Sequence, residues 1–140
     1  MFHLKLDLWR LGGLCLLVIP AVSGCDGGSA KKYVPQSMSA RTAIETALKS
    51  WQSGGAYDTI KTDTPSVQPY DARWQSGQKL KSFEIVREVS NDGPKKFEVR
   101  IELEGAEPVN DVYLVVGIDP LNVFREQDYQ KASGVGGESP

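Results

Sequence analysis

The chain's first strong pattern is helical. Apolar residues recur every three or four positions at Ala40, Ile44, Ala47, Leu48 and Trp51, opposite the polar positions Arg41, Glu45, Lys49 and Gln52. Ser39 is suited to cap the start of a helix, and Gly54 with Gly55 provides a C-terminal stop. The pattern predicts an amphipathic helix that begins at Ser39 and ends before Gly54.

The second half of the chain has the two-residue period of strands. Residues 80–89 and 95–104 alternate apolar and polar positions around a turn at 91–94, which predicts a hairpin. Residues 112–118 are almost continuously apolar, so they predict an inner strand covered on both faces. Residues 123–126 fit a short fourth strand. Residues 56–79, which contain Pro65 and Pro69, predict loops with one short turn or strand.

These elements predict one small α+β domain over residues 39–130. Its expected architecture is one N-terminal helix packed on a twisted, three- to four-stranded antiparallel sheet. Residues 25–38 are polar and contain Gly, Ser and Pro, so they predict a flexible tether. Residues 131–140 have no apolar periodicity and predict a disordered tail.

The N-terminal segment has a different composition. Lys5 and Arg10 precede an uncharged stretch, residues 11–24, which Gly12, Gly13 and Pro20 interrupt. This stretch has the length of a signal-peptide apolar region and is too short for a span of about 20 apolar residues. It ends in Val22-Ser23-Gly24-Cys25.

This ending resembles the lipobox of bacterial lipoproteins. The resemblance implies that residues 1–24 are a signal peptide, that cleavage falls between Gly24 and Cys25, and that the Cys25 sulfur carries a diacylglycerol thioether. The folded domain would then be held on a bacterial membrane, facing the periplasm or the exterior of the cell envelope. Two alternatives remain at this stage: an ordinary cleavage site at Ala21-Val22-Ser23, which would release a soluble protein, and an uncleaved amphipathic anchor.

Loss of residues 1–24 changes the available chemistry. His3 is the only histidine, and the only cysteines are Cys15 and Cys25. The mature domain would therefore have neither an imidazole nor a free thiol. Catalysis by Ser-His-Asp or Cys-His groups is then excluded, as are zinc sites built from His and Cys. We expect no cofactor, no bound metal and no enzymatic activity.

Charge also restricts the partners. The formal net charge is −2, and the sequence shows no basic face of the kind that nucleic acids require. The acidic residues of the strands alternate with Arg and Lys, which favours cross-strand charge pairs over a calcium or acid/base site. These acidic residues are Glu84, Glu88, Glu98, Glu102 and Glu104.

The order of the elements resembles the cystatin-like and NTF2-like α+β rolls. Segments 71–86 and 112–129 are also similar to small planctomycete-type lipoproteins whose function is not known. NTF2-like enzymes often use Asp and Tyr at the mouth of the roll, and by residue type the counterparts here are Asp71, Tyr113, Asp119 and Tyr129. The NTF2-like fold normally has two or three helices before the sheet, whereas this sequence predicts one, so the cystatin-like form is favoured.

The leading functional expectation is a membrane-anchored, non-catalytic domain that acts as a protein-interaction or assembly module with a partner protein in the envelope. The first alternative is a small-ligand-binding or enzymatic domain that uses Asp and Tyr. The second is a structural envelope protein that self-associates through an exposed strand edge.

Overall fold

The protein is described here from a computed structural model covering residues 33–90 and 92–134. The described part contains three helices and five strands. In chain order they are α1 (Ser37–Gln52), β1 (Val67–Tyr70), α2 (Ala72–Gln75), β2 (Leu80–Glu88), β3 (Lys95–Leu103), β4 (Val109–Val116), β5 (Leu121–Arg125) and α3 (Glu126–Ser133).

The strands form one mixed sheet in the order β1-β5-β4-β3-β2. Strands β2 to β5 are an antiparallel meander, and β1 pairs in parallel with β5, so that Val67 lies opposite Leu121. The α+β class is confirmed. The predicted single helix and three or four antiparallel strands are wrong in detail, because β1 and the helices α2 and α3 are too short to show a clear period in the sequence.

Helix α1 lies across the inner face of the sheet. It begins at Ser37 rather than at the predicted Ser39 and ends at Gln52, shortly before Gly54. Its three alanines allow a close approach to the sheet, and its larger apolar side chains fill the space between them. The buried residues of α1 are Ala40, Ala43, Ile44, Ala47, Leu48 and Trp51.

The strand register agrees with the predicted alternation. Phe97, Val99 and Ile101 of β3 are buried on the inner face, and Arg100 between them is exposed. On the outer face the acidic residues form the expected cross-strand pairs, with 2.7 Å between Lys81 Nζ and Glu102 Oε1 and 2.6 Å between Arg87 Nε and Glu98 Oε2. The prediction of a hairpin with a solvated charged face is confirmed for these pairs.

Strand β4 is covered on both faces, as its continuous apolar sequence predicts. Three consecutive residues, Tyr113, Leu114 and Val115, are buried. Tyr113 and Val115 pair with residues of the inner face, whereas Leu114 pairs with Phe124 on the outer face. Helix α3 contacts β4 and β5 and continues to Ser133, so the predicted tail begins inside a helix.

Aromatic side chains support this outer layer. The rings of Tyr70 and Phe124 stack with their centroids 4.3 Å apart, and Tyr129 of α3 meets Phe124 edge to face at 5.2 Å. No helix in residues 33–90 and 92–134 is both long and apolar enough to cross a membrane. Gly24, Cys25 and most of the predicted tether lie outside the described residues.

Candidate functional site

Asp71 is a buried carboxylate at the junction between β1 and α2. Its side chain caps α2 by accepting a hydrogen bond from the Arg73 backbone N–H at 2.9 Å. Only 3% of the residue is exposed. The Tyr113 hydroxyl, which β4 presents on the inner face of the sheet, donates to Asp71 Oδ2 at 2.6 Å. Two residues that are far apart in the sequence therefore meet inside the domain.

Arg73 connects this pair to a second carboxylate. Its Nη2 donates to Asp71 Oδ2 at 2.9 Å and to the Tyr113 hydroxyl at 3.0 Å, and its Nη1 donates to Asp111 Oδ2 at 2.6 Å. The guanidinium also lies 5.9 Å from the centre of the Trp51 ring, within the range of a cation–π contact. We call Asp71, Arg73, Asp111 and Tyr113 the ionic cluster.

The protonation states in the ionic cluster follow from burial and charge. Burial of Asp71 opposes its ionisation, but hydrogen bonds and charge from Arg73, with the Tyr113 hydroxyl, outweigh burial and hold the pKa of Asp71 below its usual value. Burial and the negative charge of Asp71 raise the pKa of Tyr113 well above its usual value. At neutral pH Asp71 is therefore a carboxylate, Arg73 a guanidinium and Tyr113 a neutral phenol.

This arrangement suits structural support better than proton transfer. A general base needs a pKa near the working pH and access to a substrate proton. Asp71 has neither property, because Arg73 lowers its pKa and both of its oxygens accept internal hydrogen bonds. In residues 33–90 and 92–134 no buried side-chain nitrogen or oxygen lacks a hydrogen-bond partner. The ionic cluster fastens β1 and α2 to β4.

The lowered pKa of Asp71 predicts a loss of stability in acid. A carboxyl whose folded pKa lies below its unfolded value of about 3.9 stabilises the fold above that value, and the contribution is lost as the pH falls through the folded pKa. We expect the free energy of unfolding, measured by urea melts from pH 6 to pH 2, to fall below about pH 4. Asp71→Asn should make this decline shallower. An identical decline in Asp71→Asn would show that other groups cause it.

The other two candidate residues lie elsewhere. Asp119, in the turn after β4, accepts hydrogen bonds from the backbone N–H and the hydroxyl of Ser66, at 3.1 and 2.9 Å. Tyr129 lies on the outer face of the sheet against Phe124. The structure brings Asp71 and Tyr113 together and places Asp119 and Tyr129 outside that cluster.

Sequence reasoning missed Arg73 and Asp111. Asp111 has a usable signal, because it is two positions before Tyr113 and therefore shares its inward face in a strand. An acidic residue on that face requires a cationic partner. Arg73, in a region predicted to be loop, had no comparable periodic signal.

A second feature is an open apolar groove at the N-terminal end of α1. It consists of two adjoining depressions of about 450 and 360 Å³. Ser39, Thr64, Pro65 and Leu121 line both of them, and Met38 lines one while Pro35 and Ile118 line the other. We call the surface formed by these seven residues the N-terminal groove.

The backbone makes a close approach beside the groove at Gly117, which precedes the lining residue Ile118. The Gly117 N–H donates to the Tyr33 carbonyl at 2.9 Å, which holds the chain before α1 against the end of β4. Gly117 has a φ of 93°, and a Cβ at this position would lie 2.7 Å from the Pro120 carbonyl oxygen. Only glycine fits this backbone conformation and this space without a shift.

A third depression, of about 370 Å³, lies beside Trp51 and Trp74. The two indole rings stack on each other at 5.7 Å, and Tyr57 meets Trp74 edge to face. Both indole N–H groups donate to backbone carbonyls, Trp51 to Gln78 at 2.7 Å and Trp74 to Gly55 at 3.1 Å. These aromatic groups already contact the protein itself, so we interpret them as packing.

Comparison with known proteins adds no relative: no family model, no curated protein and no solved structure matches this chain. Among residues 33–90 and 92–134, no group of three or more His, Cys, Asp or Glu side chains is placed to hold a metal ion.

Proposed function

We propose that the protein is a membrane-anchored bacterial lipoprotein whose small domain is non-catalytic and acts as a protein-interaction or assembly module in the cell envelope. The Val22-Ser23-Gly24-Cys25 sequence supports the lipid anchor, and the observation that carries the non-catalytic part of the proposal is the closed ionic cluster. Asp71 and Tyr113 are the candidate pair that the fold brings together. Both are buried, and both accept a hydrogen bond from Arg73. The residues best suited to acid/base chemistry therefore hold the fold together.

The alternative of self-association through a strand edge has less support. The exposed edge strand β2 has two register irregularities, between Leu80 and Ser82 and between Ile85 and Arg87. The Gln52 side chain also donates to the Lys81 carbonyl at 3.0 Å. Bulges and charged residues on an edge oppose the addition of another strand. At the opposite edge β1 is short and contains Pro69, which cannot donate to a partner strand.

The anchor is tested by replacing Cys25. We expect the wild-type protein to sediment with membranes and to have a mature N-terminus at Cys25 with the added mass of a diacylglycerol, measured on the intact protein. Cys25→Ser should leave an unprocessed precursor or release the protein, because serine cannot form the thioether.

Cys15→Ser is the matched control, because it removes the other cysteine without changing the lipobox. It should be processed and lipidated as the wild type is. A mature N-terminus at Gly24 without added lipid would support the ordinary cleavage site and refute the lipid anchor.

A further inference from the structure

We infer that the N-terminal groove and Tyr33 form a membrane-contacting surface, which seats the domain on the lipid headgroup and upper acyl region with the N-terminus of α1 towards the bilayer. This inference rests on the proposed lipid anchor at Cys25. It adds an orientation and a second contact, and it leaves the opposite end of the domain available to a partner protein.

The first supporting observation is the position of exposed apolar side chains. Met38 is 80% exposed, Tyr33 is 59% exposed and Ile118 is 55% exposed. These three side chains belong to one end of the domain. The Tyr33 backbone carbonyl accepts a hydrogen bond from the Gly117 N–H, and Met38 and Ile118 line the same groove. Tyrosine is favoured at the level of lipid headgroups, and apolar side chains insert just below it.

The second observation is the length of chain that leads to this end. Cys25 precedes Tyr33 by eight positions, so a fully extended connection spans at most about 29 Å. Helix α1 has 16 residues, so its C-terminal end lies about 24 Å farther along the helix axis. A lipid on Cys25 therefore keeps Tyr33 within about 29 Å of the bilayer, whereas the C-terminal end of α1 can lie up to about 53 Å away, so the tether favours contact by the N-terminal groove.

Charge selects the kind of lipid surface. Asp63 and Asp119 line the groove, and Lys31 and Lys32 shortly precede Tyr33 in the sequence. The two acidic side chains balance the two basic ones in number, so this set of charges provides no net attraction to a strongly anionic bilayer. We therefore assign the contact to the interface of a zwitterionic phospholipid such as phosphatidylethanolamine, with apolar insertion as its main component.

The test measures the depth of fluorescent labels on the lipidated protein. A processed lipoprotein has no free thiol, so Thr64→Cys at the groove and Ser76→Cys near the C-terminal end of α1 each provide one labelling site. Each labelled protein is placed in vesicles of phosphatidylethanolamine and phosphatidylcholine, some of which carry a nitroxide on the acyl chain. We expect several-fold stronger quenching at position 64 than at position 76.

A pair of variants then tests which side chains make the contact. Met38→Ser with Ile118→Ser should reduce quenching at position 64 to the level at position 76, although the protein stays anchored. Val109→Ser is the matched control, because Val109 is 47% exposed at the start of β4, the end of that strand opposite Gly117. It should leave the quenching at position 64 unchanged.

Equal quenching at positions 64 and 76 would overturn the inference. A second result would also overturn it: a label at position 64 that is not quenched in vesicles without other proteins, but that is shielded from solvent in native membranes. That result would assign the groove to a protein partner. Failure of the lipid anchor itself has a separate signature, because a Cys25 without lipid appears in the intact mass and takes up label in the wild-type chain.

Discussion

Arg73→Ala is expected to lower the free energy of unfolding by about 3–5 kcal/mol, the usual cost of removing one partner from a buried ion pair. The variant leaves Asp71 and Asp111 without the guanidinium that each of them contacts within 3 Å. It also removes the contact with Trp51. Urea denaturation of the folded domain at pH 7, followed by circular dichroism, measures this loss.

Arg41→Ala is the matched control. Arg41 also contacts a carboxylate, that of Glu45 at 3.3 Å, but the pair is exposed on the surface of α1. Exposed ion pairs of this kind contribute less than about 1 kcal/mol. If the two arginine variants lost the same small amount of stability, the ionic cluster would not stabilise the attachment of β1 and α2 to β4.

Ile101→Ala is expected to cost about 2–5 kcal/mol, the range for deleting a large aliphatic side chain from a packed interior. Ile101 has no exposed surface and lies in the core between the sheet and α1. Its neighbour Arg100 points to the other face of the same strand and is exposed, so Arg100→Ala should change the stability by no more than about 0.5 kcal/mol.

The comparison of these two adjacent positions tests the register of β3 directly. Isoleucine favours strands more than arginine does, but the whole scale of strand propensity spans only about 1 kcal/mol, so a larger difference between the two variants reports burial. Equal losses in urea melts would mean that the inner and outer faces of the strand are assigned incorrectly.

The parts of the fold that sequence predicts are those with a local pattern. The alternation in β3 and the continuous apolar run in β4 both identify their faces correctly, because burial on one or two sides directly determines which residue types fit. Strand β1 has four residues and contains Pro69, and its partner β5 is far away in the chain. No local period encodes such a parallel pairing.

The ionic cluster was predictable only in part. Asp71 and Tyr113 were candidates by residue type, but their proximity depends on the placement of β1 against β5 and of α2 against the inner face. Asp111 could have been noted as a charge on an apolar face. The role of Arg73 could not be predicted without knowing that the turn after β1 directs this side chain inwards. That direction depends on the way Asp71 caps α2.

The pairing of β1 with β5 has a kinetic consequence. Strands β2 to β5 are joined by short connections and can associate in sequence, whereas β1 must wait for β5, and Asp71 must wait for Tyr113. Closing so long a loop costs conformational entropy before the new contacts offset it, so we expect these contacts to form late in folding. Interactions that form after the transition state slow unfolding and hardly affect the folding rate. The ionic cluster would thus lengthen the lifetime of the folded domain more than it would speed its formation.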